Sequence, residues 1–227
     1  MSSTKSLAVL FDFDGVIVDT ESQYTVFWDR QGEIYLPELE NFGRIIKGMT
    51  LMQIFEKYLN HQPEIQKRIS ADLIAFQEKM RYEYLPGVEK FLRTLRSEGI
   101  PTAIVTSSDV AKMNIAYREH PELPSLVDRI LTAEMFTRSK PAPDCFLLGS
   151  EVLGVAPENC VVFEDSFHGL EAGNRAGMTV VGLATTNPRE AITDKAKAVI
   201  DDFVGFTTER MKEIINQKKR YGRIFDR

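Results

Sequence analysis

The chain has 227 residues, of which 43% are hydrophobic and 27% charged, and it carries a formal net charge of -5. This composition is ordinary for a soluble globular protein and excludes disordered and fibrous classes, while the length admits one sizeable core plus a smaller module. The acidic balance excludes a dominant nucleic-acid surface, which needs Lys and Arg clustered on one face.

At the start, Met1 to Ser6 lacks the apolar core of a secretory signal, and no window reaches the roughly 18 apolar residues of a membrane span. A cytoplasmic chain without a membrane partner is the expectation. Leu7 to Phe11 is a continuous apolar run that predicts a fully buried parallel strand, with chemistry at its C-terminal end. There Asp12-Phe13-Asp14-Gly15 places two carboxylates at i and i+2, so both can face one pocket if the strand curls into the turn. Two anions so close need a counter-charge, and a hard, oxygen-preferring cation such as Mg2+ suits them.

From Glu21 to Tyr84 the pattern is helix after helix. Thr50 is a plausible N-cap before Leu51, Ile54, Phe55 and Leu59, and Ile65, Ile69, Leu73 and Phe76 follow at helical spacing. Phe27 and Trp28 read as core of the first of these helices. An all-helical insert over residues 19–85, between a core of residues 1–18 and 86–227, predicts a separate cap over the strand ends with two hinge connections.

Beyond Pro86-Gly87, short apolar strands are expected at Thr102 to Thr106, Arg129 to Leu131, Cys160 to Phe163 and Thr179 to Leu183, separated by helical segments. Such alternation predicts an α/β fold, a doubly wound, Rossmann-like parallel sheet. Cys145 and Cys160 lack metal-ligand spacing and read as reduced thiols. His168 reads as a surface turn histidine, and Lys218-Lys219-Arg220 as cations near the end of a last helix.

The segment Asp12 to Thr20 closely resembles the first motif of the haloacid dehalogenase superfamily. Three further motifs follow in the expected order, so the likeness covers nearly the whole chain, most loosely in the insert. The second motif, a hydroxyl residue ending a strand, matches Thr106, with Ser107 adding its backbone N–H. The third matches Lys140 in Ser139-Lys140-Pro141, where the likeness implies a cis peptide. The fourth matches Glu164-Asp165 after the strand at Cys160, followed by Gly169 and a helix from Leu170 to Ala176.

The resemblance implies a Mg2+-dependent phosphatase acting on a small phosphorylated metabolite, a sugar phosphate by kinship. Asp12 would be the nucleophile that forms an aspartyl-phosphate, and Asp14 the general acid and base. Thr106 and Lys140 would steady the transferring group. Asp12, the Asp14 carbonyl, Glu164 and Asp165 would hold the metal. Candidate substrate contacts are Gly15, Ser107, Arg44 and Lys47, and a monomer or weak dimer is expected.

The nearest subfamily by eye is the β-phosphoglucomutase-like one, through Lys47-Gly48-Met49-Thr50 and the motif around Asp165. True mutases of that group carry an arginine after the cap glycine and a Lys-Asn pair after the second motif. This chain has Leu51, Asp109 and Val110 there, and Tyr24 where mutases carry a hinge histidine. Losing two cations removes the clamp for a second phosphate, so a phosphatase is favoured over a mutase. A non-catalytic binding module is disfavoured because Asp12, Asp14, Lys140 and Asp165 are all present.

Overall fold

The computed structural model describes residues 7–217. Lys218, Lys219 and Arg220 lie outside the described residues. Six parallel strands form one sheet: β1 (Ala8–Phe11), β2 (Thr102–Val105), β3 (Arg129–Leu131), β4 (Cys160–Glu164), β5 (Thr179–Leu183) and β6 (Ala198–Ile200), in the order β3-β2-β1-β4-β5-β6. All four residues of β1 are fully buried, because the strand is central and both sheet faces are covered. Alternation along it feeds two separate cores. Val9 and Phe11 pack with Phe91, Phe163 and Phe203 on one face, while Ala8 and Leu10 pack with Phe146, Leu153 and Leu170 on the other. Phe11 and Phe163 stack with centroids 5.1 Å apart, and truncating either ring to alanine would cost about 3–5 kcal/mol.

Of the five helices between β1 and β2, the first four form the insert: α1 (Glu21–Tyr35), α2 (Phe42–Ile45), α3 (Leu51–Tyr58) and α4 (Pro63–Gln77). They bury a third cluster of their own, which includes Phe27, Trp28, Phe42, Ile54 and Leu73. Thr50 caps α3 in a capping box: its hydroxyl accepts from Gln53 N at 3.3 Å and its N–H donates to Gln53 Oε1 at 2.8 Å. The outgoing and returning chains run side by side, with Asp19 N donating to Glu83 O at 2.8 Å and Leu85 N to Ile17 O at 2.9 Å.

The remaining helices are α5 (Val88–Ser97), α6 (Val110–Glu119), α7 (Leu123–Leu126), α8 (Asp144–Leu153), α9 (Phe167–Arg175), α10 (Arg189–Ile192) and α11 (Thr208–Asn216). Three details differ from the sequence reading. β6 is not among the expected strands; its three residues are half-buried at the sheet edge and are followed by Asp201-Asp202. Thr106 lies one residue past β2, although its N–H still donates to Leu131 O at 2.9 Å. The helix expected from Leu170 begins earlier, at Phe167, because Ser166 caps it by accepting from Gly169 N at 3.0 Å.

Successive strands are laid down from β1 toward β3 on one side and from β4 toward β6 on the other. The reversal leaves a crevice at the carboxyl ends of β1 and β4, where open α/β sheets bind ligands.

Candidate active site

β1 and β4 are neighbours in register, Phe11 opposite Phe163, so the residues that follow emerge side by side. Asp12 N donates to Phe163 O at 3.0 Å, extending the ladder by one step. The carboxylates of Asp12, Glu164 and Asp165 are thereby gathered, each buried, with one oxygen from each lying within 4.8 Å of the others. Gly15, at φ 72°, closes the turn after β1. A Cβ there would lie 2.1 Å from Asp165 Oδ2, so only glycine lets the two loops approach this closely.

Lys140 enters from the loop before α8, a helix that packs across β1, β2 and β3. Its Lys140-Pro141 peptide is cis. The side chain is buried and spends all three protons: on Asp12 Oδ1 at 2.8 Å, Glu164 Oε1 at 2.7 Å and Val105 O at 3.3 Å. Burial alone would depress its pKa, but Asp12 and Glu164 reverse this and hold the ammonium charged, well above its ordinary value. Glu164 anchors the lysine in turn. Its Oε2 accepts from Asp165 N and Ser166 N at 2.8 Å each and from Ser166 Oγ at 3.1 Å.

The Asp14 carboxylate is not part of this acidic cluster. Thr20 Oγ1 donates to its Oδ1, and Ser108 Oγ, at 2.9 Å, and the ammonium of Lys112 donate to its Oδ2. Lys112 is itself buried, with Nζ 4.2 Å from the centre of the Tyr24 ring, whose hydroxyl accepts from Gln77 Nε2 at 3.1 Å. Sequence reading missed Lys112, Thr20 and Ser108. A signal did exist for the lysine: it shares the inward stripe of α6 with Met113 and Ala116, where a solvated charge does not belong.

A cavity of about 800 Å3 lies between the strand ends and the helical insert. Thr106 and Ser107 line it from the sheet. Thr106 Oγ1 accepts from Ser108 N at 3.0 Å, which leaves its own proton free to donate, while Ser107 Oγ is buried with no hydrogen-bond partner. Lys47 lines it from the insert, ion-paired with Glu21 at 3.2 Å. Arg44 sits on α2, exposed and outside the cavity wall. His168 is corrected from a surface turn residue: it lies on α9, and its ring Nδ1–H donates to the Lys47 carbonyl at 2.8 Å, tying the core to the insert. Gln53 Nε2 makes a second such tie, to Lys140 O at 3.3 Å. Asp109 caps α6 by accepting from Lys112 N at 2.8 Å, and Val110 points to solvent.

The donor set fits a hard divalent cation. Of the three buried carboxylates, Asp12 and Glu164 share the one ammonium, and Asp165 Oδ2 is buried without a hydrogen-bond partner. Burial pushes the Asp12 carboxyl up to about 7, with Lys140 opposing, and burial followed by Glu164 drives Asp165 well above the carboxylate range. Carboxylates held this way lack positive charge, and all-oxygen ligation is what magnesium-like ions select. Glu164 already spends both oxygens on hydrogen bonds, so Asp12 and Asp165 have the greater freedom to ligate.

A parallel sheet whose central strands end in opposed carboxylates, with a buried lysine bridging them, defines a hydrolase that uses an acidic, phosphate-compatible centre. Residues 7–177 match the haloacid dehalogenase-like hydrolases, and the chain belongs to that family. It is 34% identical over 186 residues to a putative phosphatase of Bacillus subtilis, spanning 77% of this chain and 81% of that one. It is 29% identical over 220 residues to a probable pseudouridine-5'-phosphatase of Drosophila melanogaster, spanning 88% and 91%. The solved β-phosphoglucomutase of Clostridium difficile superposes with a TM-score of 0.76 at 26% identity, covering 92% of this chain and 96% of that one. The protein is a phosphoric monoester hydrolase of this family.

Proposed function

We propose that the protein hydrolyses a small phosphorylated metabolite, a sugar phosphate or a phosphorylated compound of similar size, through a phosphoryl group carried on Asp12 and with Mg2+ as cofactor. The observation that carries this reading is Asp12 itself. One oxygen is pinned by Lys140 while the other makes no hydrogen bond to a described residue, and the carboxylate lines the cavity where a phosphate ester can reach it.

The chemistry runs in two displacements. The free Asp12 oxygen forms a bond to phosphorus as the bond from phosphorus to the ester oxygen breaks, and Asp14 gives its proton to the departing oxygen. Water then attacks phosphorus, Asp14 takes the proton back, and Asp12 leaves with its carboxylate restored. Lys140 neutralises charge on Asp12 throughout, and the hydroxyls of Thr106 and Ser107 supply donors to the phosphoryl oxygens. Asp12, Asp165, the Asp14 carbonyl and Glu164 would hold the cation, which when bound neutralises phosphoryl oxygens and orients them. The helical insert acts as a cap that excludes bulk water and selects the leaving group, with Lys47 as a further substrate contact, whereas Gly15 lies off the cavity wall and its N–H donates to Val18 O at 2.8 Å.

The positions that carry a mutase's distal-phosphate clamp hold no cation among the described residues, which supports hydrolysis over transfer. Leu51 opens α3, Asp109 is committed to capping α6, and Val110 is exposed. With p-nitrophenyl phosphate, hydrolysis is expected that requires Mg2+, stops on chelation and is lost in Asp12→Asn. Hydrolysis that survives chelation would refute the cofactor assignment.

A further inference from the structure

Resting on the phosphatase reading above, we propose that the substrate carries a single phosphate and that its leaving alcohol bears no second anionic group. The reason lies in how the cavity's cations are spent. Among the described residues three cations line the cavity, Lys47, Lys112 and Lys140, and no arginine does. Each is already engaged: Lys47 by Glu21 at 3.2 Å, Lys112 by Asp14, and Lys140 by Asp12 and Glu164 at 2.8 and 2.7 Å.

Away from the transfer centre the remaining charged groups on the wall are acidic. Glu21, Glu56, Asp109 and Glu134 all line it. Two of these are fixed in place, because Asp109 accepts from Lys112 N at 2.8 Å and Glu134 from Val110 N at 3.0 Å. A second phosphate or carboxylate on the ligand therefore meets no free counter-charge. To obtain one it must part a buried pair and leave the displaced carboxylate unpaired, which is costly where water is scarce. Neutral hydroxyls meet no such obstacle and can share hydrogen bonds with the amides of Asn60 and Gln66 on the same wall. The Glu21–Lys47 pair is the adjustable element. Its lysine is the one cavity cation not bound to the transfer machinery, and Glu21 keeps it neutralised.

The test is competition against p-nitrophenyl phosphate with Mg2+ present, using two matched pairs: glycerol 3-phosphate against 3-phosphoglycerate, and fructose 6-phosphate against fructose 1,6-bisphosphate. In wild type the neutral-ended member of each pair is expected to inhibit with a constant about tenfold lower. In Glu21→Gln, which releases Lys47, the gap should narrow to roughly threefold or less because the anionic member improves. General loosening of the cavity would instead weaken both members together. Equal inhibition within the pairs in wild type, inhibition by neither member, or a gap unchanged in Glu21→Gln would each overturn the proposal. Absence of any Mg2+-dependent hydrolysis would show itself separately and would remove the phosphatase reading as well.

Discussion

The ammonium of Lys112, from the first turn of α6, reaches the carboxylate of Asp14 beneath the ring of Tyr24, so a helix of the core and a helix of the insert meet over one acidic group. With Thr20 and Ser108, the lysine fixes a carboxylate that has to face both the leaving oxygen and water. Positioning of this kind is expected to matter for turnover more than for binding.

Lys112→Met should therefore lower kcat on p-nitrophenyl phosphate by on the order of 100-fold, with KM changed by less than about threefold. It should also destabilise the protein by about 3 kcal/mol, because one partner of a buried pair remains uncompensated. Steady-state kinetics and urea unfolding measure the two effects. A double-mutant cycle with Asp14→Asn separates them, since the stability coupling should be close to the single-mutant loss.

Gly169 tests the anchoring of Lys140 through Glu164. A Cβ at position 169 would lie 1.7 Å from Glu164 Oε1, so the carboxylate must shift and Lys140 loses its shortest bond. Gly169→Ala is expected to cost about 3 kcal/mol and to reduce kcat at least as severely as Lys112→Met. Wild-type activity in this variant would show that Glu164 does not need its observed position.

How much of this could be read from residues alone follows from what burial does to each pattern. β1, β2, β4 and β5 announce themselves as short apolar runs because both faces of the sheet are covered, whereas the edge strands β3 and β6 are three residues each and only partly buried, so their patterns are weak and only β3 is legible. Asp12, Glu164 and Asp165 stand out because each interrupts a buried apolar strand end, where an anion needs a reason. Lys112 does not stand out, since a lysine in a helix ordinarily points to water and only its neighbours Met113 and Ala116 reveal its inward face. The same ambiguity affects the cations of the insert. Spacing cannot tell which face of α2 turns outward, and the structure leaves Arg44 exposed while Lys47 reaches the cavity.

Stability should depend on pH in a direction that the cation opposes. In the metal-free protein, burial raises Asp12 from 3.8 to about 7. Between those values the folded chain keeps a proton that the unfolded chain has released, so stability is greatest below the unfolded value and falls as pH rises through the folded one. The melting temperature without metal is expected to drop between about pH 5 and pH 8. Millimolar Mg2+ should raise it, and by more at the higher pH, because the ion binds the carboxylate form. Thermal scans at both pH values, with chelator or with Mg2+, check the sign.

His168 links the core to the insert through the Lys47 carbonyl. His168→Phe removes the donor while keeping a ring of similar size. It is expected to raise KM by roughly threefold to tenfold with a smaller change in kcat, because the lost bond holds the insert against the core and takes no part in proton transfer. Initial-rate kinetics over a range of substrate concentrations resolve the two constants.

Phosphorylation of Asp12 is measured most directly by acid-quenching the enzyme during turnover with Mg2+ and p-nitrophenyl phosphate, reducing with borohydride, and sequencing the peptides by mass spectrometry. Aspartyl-phosphate is reduced to homoserine, so the expected result is homoserine at position 12 in wild type and none in Asp12→Asn, which should also be inactive. Reduction at a different carboxylate, or full activity in Asp12→Asn, would contradict the assignment of Asp12 as the group that carries the phosphate.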